Sequence, residues 1–176
     1  KQNWRYEWLE LYNNADTVGM LDGWMLELYR DKLDFRISLQ GTIEAKGYFL
    51  IGASDKIQGL DLNYKNLGGK FFNGGQRVVL KNTLGEIIDE VDATSGWPTG
   101  DNKTKQTMER VVGSDPATRW QTSKDSGGTP KAPNSEGIAK EDQTKPGLVK
   151  DETEKDPLGR SDSDESSDSK RSSISF

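Results

Sequence analysis

The 176 residues include no histidine and no cysteine. Carboxylates, lysines and aromatic rings therefore set the chemistry open to the chain. A thiolate nucleophile, a disulfide, a zinc finger and a Ser-His-Asp triad are excluded, and the usual general base near neutral pH is missing. A carboxylate pair of the glycosidase type or an oxygen-ligated Ca²⁺ or Mg²⁺ site remains open. Asp89, Glu90 and Asp92 crowd one strand end, and alternation puts Glu90 and Asp92 on one face. Metal loops gather several oxygens about one tight turn, so a strand is a poor cage, and no metal, cofactor or catalytic residue is expected. The second cluster lies in GWPTGDNKTKQTMER, residues 96–110. Lys103 and Lys105 could meet phosphates and Trp97 could stack on a base, as a polyanion patch. The competing reading is solvated loop lysines and a ring that covers the core.

The elements that position these residues read as strands. In RYEWLELY, residues 5–12, Leu9 and Leu11 point one way and Trp8, Glu10 and Tyr12 the other, the pattern of a half-buried strand. Trp24, Leu26 and Leu28 share one face after Asp22-Gly23, and Phe35, Ile37 and Leu39 share another. Tyr48-Phe49-Leu50-Ile51 is a short apolar run that suits a strand buried on both sides. Residues 52–75 are rich in turns, with Leu60, Leu62 and Tyr64 as a short strand. Residues 77–81 and 86–91 flank Asn82-Thr83-Leu84-Gly85, a hairpin turn with Gly85 left-handed. Thr107–Val112 reads as a final strand and Trp120–Thr122 as a sheet edge. No segment keeps helical periodicity over three turns. Turn signals recur at sandwich spacing, so the fold class is all-β, an Ig-like sandwich of about seven to nine short strands.

Only 31% of the residues are hydrophobic, low enough to expect part of the chain to be unfolded. The change comes near residue 135. Residues 1–135 read as one domain that is close to neutral, and 136–176 as an acidic Ser/Asp/Lys-rich linker or tail. SDSDESSDSKRSS at 161–173 is low complexity, and a tail so poor in apolar surface is expected to be disordered. Near-neutral charge gives no sign of a broad nucleic-acid surface. No run of apolar residues has the length of a membrane span. The chain begins with Lys1 and reads as a fragment or processed product.

Five segments in order resemble the lamin-tail domain family in its bacterial form. They are Trp8-Leu9-Glu10-Leu11-Tyr12-Asn13; Asp22-Gly23-Trp24-Met25-Leu26; residues 39–50, LQGTIEAKGYFL; Leu84-Gly85-Glu86-Ile87-Ile88-Asp89; and Trp97-Pro98 to Met108-Glu109-Arg110, closed by Gly128-Thr129-Pro130-Lys131-Ala132-Pro133-Asn134. The resemblance covers about residues 6–135. It implies that residues 96–110 are the last long loop and the strand completing the sandwich, with Trp97 over an open end of the core and Met108 inside. Trp8, Glu10, Trp24, Phe49 and Gly85 are then structural. Arg110 is expected to pair with Glu10 or Glu7 across neighbouring strands. Family members open with one more strand, so the first strand is expected to be missing, leaving an open edge and a weakened domain. The resemblance also implies a non-catalytic interaction or adhesion module of a bacterial cell-surface or secreted protein. Its ligand would be a protein, a glycan or DNA, with neighbouring domains of the same chain as further partners. A chromatin- or nucleic-acid-binding scaffold, as in nuclear lamins, is the alternative.

Overall fold

The computed structural model describes residues 6–111 and 119–136, together with the strand backbone of 173–175. Among these residues the chain is all-β. Eight strands have five residues or more: β1 (Trp8–Tyr12), β3 (Met25–Tyr29), β4 (Leu33–Ser38), β6 (Tyr48–Gly52), β8 (Arg77–Lys81), β9 (Ile87–Asp92), β10 (Gln106–Arg110) and β11 (Trp120–Ser126). Four are shorter: β2 (Gly19–Met20), β5 (Thr42–Ile43), β7 (Leu62–Asn63) and β12 (Ser173–Ser175). One 3-10 turn, Lys65–Leu67, interrupts the long connection after β7.

Two sheets face each other. One runs β11-β10-β12-β1-β6-β7, the other β4-β3-β8-β9, and β2 pairs with β5 beside them. The alternation read from sequence selects the inner faces. Leu9, Leu11, Phe49, Ile51 and Met108 come from the first sheet; Leu26, Leu28, Ile37, Val78, Leu80 and Val91 come from the second. Together they form one core, with Ile43 of β5 and Leu21, Leu39, Leu67 and Phe71 of the connections filling it. Burial of this apolar set from both faces is the main term favouring the fold.

Two turns show why the sequence folds this way locally. Asn82 holds the β8–β9 hairpin by accepting the Leu84 and Glu86 amides on Oδ1, at 2.9 and 3.0 Å. Gly85 adopts φ +79°, the left-handed geometry read from sequence. Gly75, at φ +96°, sits where a Cβ would fall 2.0 Å from the Ala93 carbonyl oxygen.

Three observations differ from the sequence reading. β1 is not half-buried: Trp8, Leu9, Glu10 and Leu11 are all buried, because irregular segments cover its outer face as well. β10 ends at Arg110, and Val112 lies outside the described residues. The expected open edge beside β1 is filled. β1 pairs antiparallel with β6 on one side and parallel with β12 on the other, and β12 also pairs with β10. Residues 137–172, on which most of the expected disordered tail falls, lie outside the described residues, whereas Ser173–Ser175 form a strand.

The two glycines give a graded test by thermal unfolding. Gly85→Ala, with open space around its Cβ, is expected to cost about 1 kcal/mol from the left-handed backbone alone. Gly75→Ala adds a backbone collision and is expected to cost roughly 3 kcal/mol. Equal melting temperatures for the two variants would contradict this assignment.

Candidate interaction surface

The carboxylates are the first groups to test for chemistry, and four glutamates are buried: Glu7, Glu10, Glu27 and Glu109. Three of them fasten irregular chain to strands. Glu7 accepts the Gly69 amide at 2.7 Å. Burial pushes its carboxyl up to about 7, while backbone amides of Gly69, Phe71 and Lys70 act in the opposite direction. Glu10 accepts the Lys131 amide at 2.7 Å. Burial likewise raises it to about 7, against the Lys131 amide and ammonium. Glu109 accepts the Thr129 hydroxyl at 3.0 Å and both the amide and hydroxyl of Ser135, at 3.1 and 2.8 Å. The segment 129–135 is thus strapped over the outer face of the six-stranded sheet. Lys131 finishes the strap by donating to the Tyr48 carbonyl at 2.7 Å and to Asp61 at 2.6 Å.

Glu27 does a related task on the outer face of the other sheet. It accepts from Arg36 Nε at 2.7 Å, pairs with Lys81 at 2.8 Å, and also accepts the Tyr29 hydroxyl. Burial alone would raise its carboxyl, but the Lys81, Tyr29 and Arg36 hydrogen bonds outweigh it and hold the group down at about 2. Beside it, Arg77 pairs with Glu90. The cations of this face are committed to carboxylates of the same face, which leaves little field for a polyanion.

The residues singled out from sequence fall into place unevenly. Trp8, Phe49 and Met108 are buried, and Trp24 and Trp97 pack against the core. Trp97 donates Nε1 to the Phe72 carbonyl at 2.9 Å and meets the Phe71 ring edge-on at 6.4 Å. Of the two lysines proposed to share its patch, Lys105 is held within its own turn by its side chain and Lys103 by its backbone amide. Lys105 donates Nζ to the Asn102 carbonyl at 2.6 Å, and the Lys103 amide bonds Asp101 at 2.6 Å. Neither is joined to Trp97. Glu90 and Asp92 are likewise taken up, by Arg77 and by the Thr94 amide and hydroxyl. Among the described residues no group of three or more acidic side chains is placed to hold a metal ion.

Arg110 does not pair with Glu10 or Glu7. It forms a two-point ion pair with Asp89 across the sandwich, at 2.9 and 3.0 Å, and its guanidinium lies over the Trp120 ring at 4.9 Å. The reason is parity. Arg110 follows Met108 on the inward-facing side of β10, whereas Glu10 and Glu109 project from the outward-facing side. Sequence reasoning missed the buried roles of Glu7, Glu27 and Glu109. One signal was present: the tetrapeptide Leu-Glu-Leu-Tyr occurs at 9–12 and again at 26–29. In both copies a glutamate stands between two core leucines and is itself buried.

The surface also carries an apolar feature. Leu84, Ile87 and Ile88 are 80%, 50% and 49% exposed within five residues of one hairpin. β9 is also the edge of its sheet among the described strands. Exposed aliphatic side chains beside unpaired backbone groups suit contact with a protein better than with a glycan or nucleic acid.

Two measurements follow. Glu7 and Glu10 are raised in the folded state, so each contributes stability that is complete below the ordinary carboxyl value of 4.5 and is lost as pH rises through about 7. Glu27 is lowered, so its contribution is present above 4.5 and lost as pH falls through about 2. The melting temperature is therefore expected to peak near pH 4.5 and to decline towards 7. Glu7→Gln with Glu10→Gln should flatten that decline, and Glu27→Gln should remove the acid limb. For Arg110 and Asp89, a double-mutant cycle should give a coupling of about 1 kcal/mol. The same cycle on Arg110 and Glu10 should give none.

The comparison with curated proteins gave no match. The family model described as Lamin Tail Domain matches residues 1–95, which takes in β1 to β9. β10 and β11 follow the match and complete the sheet that β1 begins. The order of strands, the LELY and GEIID segments within it and a match over more than half of the chain agree: the chain belongs to the Lamin Tail Domain family, as a non-catalytic binding module.

Proposed function

We propose that this domain is an interaction module of a bacterial cell-surface or secreted protein, and that it docks a protein partner through the β8–β9 hairpin. The observation that carries the reading is the exposed Leu84, Ile87 and Ile88 on an edge strand. An apolar contact of this kind needs no chemistry from the partner beyond a complementary apolar face or strand edge. Buried glutamates occupied by backbone amides and hydroxyls support a role in holding shape rather than in turnover.

The location and the partner are tested separately. Sequencing the reading frame around this chain should show an export signal upstream or a surface anchor downstream. A heptad-rich coiled coil with a nuclear signal would overturn the bacterial surface reading in favour of a lamin-type scaffold. The partner class is tested by binding the immobilised domain to separated protein, glycan and DNA fractions of the source cell surface. Binding is expected in the protein fraction, with a loss of at least about tenfold in Leu84→Lys/Ile87→Lys. Retention of glycan or DNA instead, insensitive to these substitutions, would overturn it.

A further inference from the structure

The six-stranded sheet has an unusual strand near its middle. β12, only Ser173–Ser175, lies between β1 and β10 and pairs parallel with both. Its neighbours each have five residues, Trp8–Tyr12 and Gln106–Arg110. The occupant is therefore shorter than the space it fills. Ile174 stands in register with Leu9 and with Met108, two core residues, and Ser175 stands in register with Glu10. Among the described residues Glu10 Oε1 is buried without a hydrogen-bond partner, although Oε2 is bonded to the Lys131 amide. A buried acceptor left this way is costly and favours any arriving donor.

We propose that the space between β1 and β10 is a strand-acceptor site, filled reversibly and in cis by the C-terminal strand of this chain. Its ligand class is an extended peptide with an apolar residue in register with Leu9 and Met108 and a hydrogen-bond donor in register with Glu10. Three residues supply few ladder bonds, each worth only about 1 kcal/mol net, so a longer strand has more to gain than this one. The stretch 137–172 joins the domain to β12. Fully extended it would reach roughly 120 Å, far beyond the ~4.8 Å between strands. A tether of that reach favours the cis strand at high effective concentration without locking it.

The test uses the full chain and a fluorescent peptide with the sequence of residues 170–176. Ile174→Pro removes an amide from the middle of β12 and should vacate the site. By fluorescence anisotropy the peptide is expected to bind this variant at least about tenfold more tightly than the unchanged chain, where the cis strand competes. A peptide carrying the same proline should bind neither. Equal affinity for the two chains, or no binding to the folded variant, would overturn the proposal. If Ile174→Pro does not fold, hydrogen exchange on the unchanged chain decides. Amides of Ser173–Ser175 should exchange at least about tenfold more slowly than unstructured amides and speed up when excess peptide is added; exchange at the unstructured rate overturns it. A dimer that grows with concentration and dissociates with peptide would replace the cis occupant by a second copy. Leu84→Lys/Ile87→Lys should leave peptide binding unchanged, so this site and the hairpin reading stand or fall separately.

Discussion

The fold depends on carboxylates that sit inside it and accept hydrogen bonds from irregular backbone. A sandwich of short strands needs long connections, and connections packed over a sheet bring amides that must be satisfied. Here glutamates on the strands or just before one meet them. Glu7 takes the Gly69 turn, Glu10 takes Lys131, and Glu109 takes Thr129 and Ser135. Beside these acceptors, Lys131 ties the segment 129–135 to β6 and Asp61, and the Asn134 side chain donates to the Arg110 carbonyl. Removal of the segment would uncover the outer faces of β1 and β10. The six-stranded sheet is therefore held by apolar packing on one side and by a polar strap on the other.

The same device explains why a chain so rich in carboxylates offers little for catalysis. A buried acid is useful to an enzyme when substrate can reach it and a proton can be exchanged with it. Glu7 and Glu10 have the raised carboxyls that often mark active sites, yet each lies under the backbone it binds. Glu27 has the opposite shift and the opposite environment, enclosed by Lys81, Arg36 and Tyr29. In both environments the displaced carboxyl is a consequence of holding the fold together. The inter-sheet pair of Arg110 and Asp89 closes the rim in the same spirit, with Trp120 lying against the guanidinium.

What remains on the surface is correspondingly plain. The cations of the β4-β3-β8-β9 face are matched by carboxylates on it, and the Lys105 ammonium bonds within its own turn. The β8–β9 hairpin stands out because its aliphatic side chains are exposed. The short parallel strand between β1 and β10 stands out because a sheet interior usually takes longer strands with close connections. The two features lie on different sheets.

The sequence by itself determined the inward faces, the hairpin and the family. Alternation is local: Leu9 and Leu11, Leu26 and Leu28, and Phe35, Ile37 and Leu39 each declare a face within a few residues. Asn82 to Gly85 declares a turn from its backbone preferences alone. Burial of Phe49 followed from a continuous apolar run, and the inward place of Met108 from the family resemblance. Tertiary structure alone decided the partners of the charged residues, since a partner is fixed by which strands meet and on which side. Arg110 was matched to glutamates on its own sheet, but inward parity sent it across the sandwich to Asp89. Trp97 and Lys105 are neighbours in sequence, yet the turn at Asp101–Gln106 holds the lysine to itself while Phe71 and Phe72 take the ring. Ser173–Ser175 carried no signal strong enough to name their place. Three residues gain a strand's geometry only when two others already flank them, and that pairing joins the far ends of the chain.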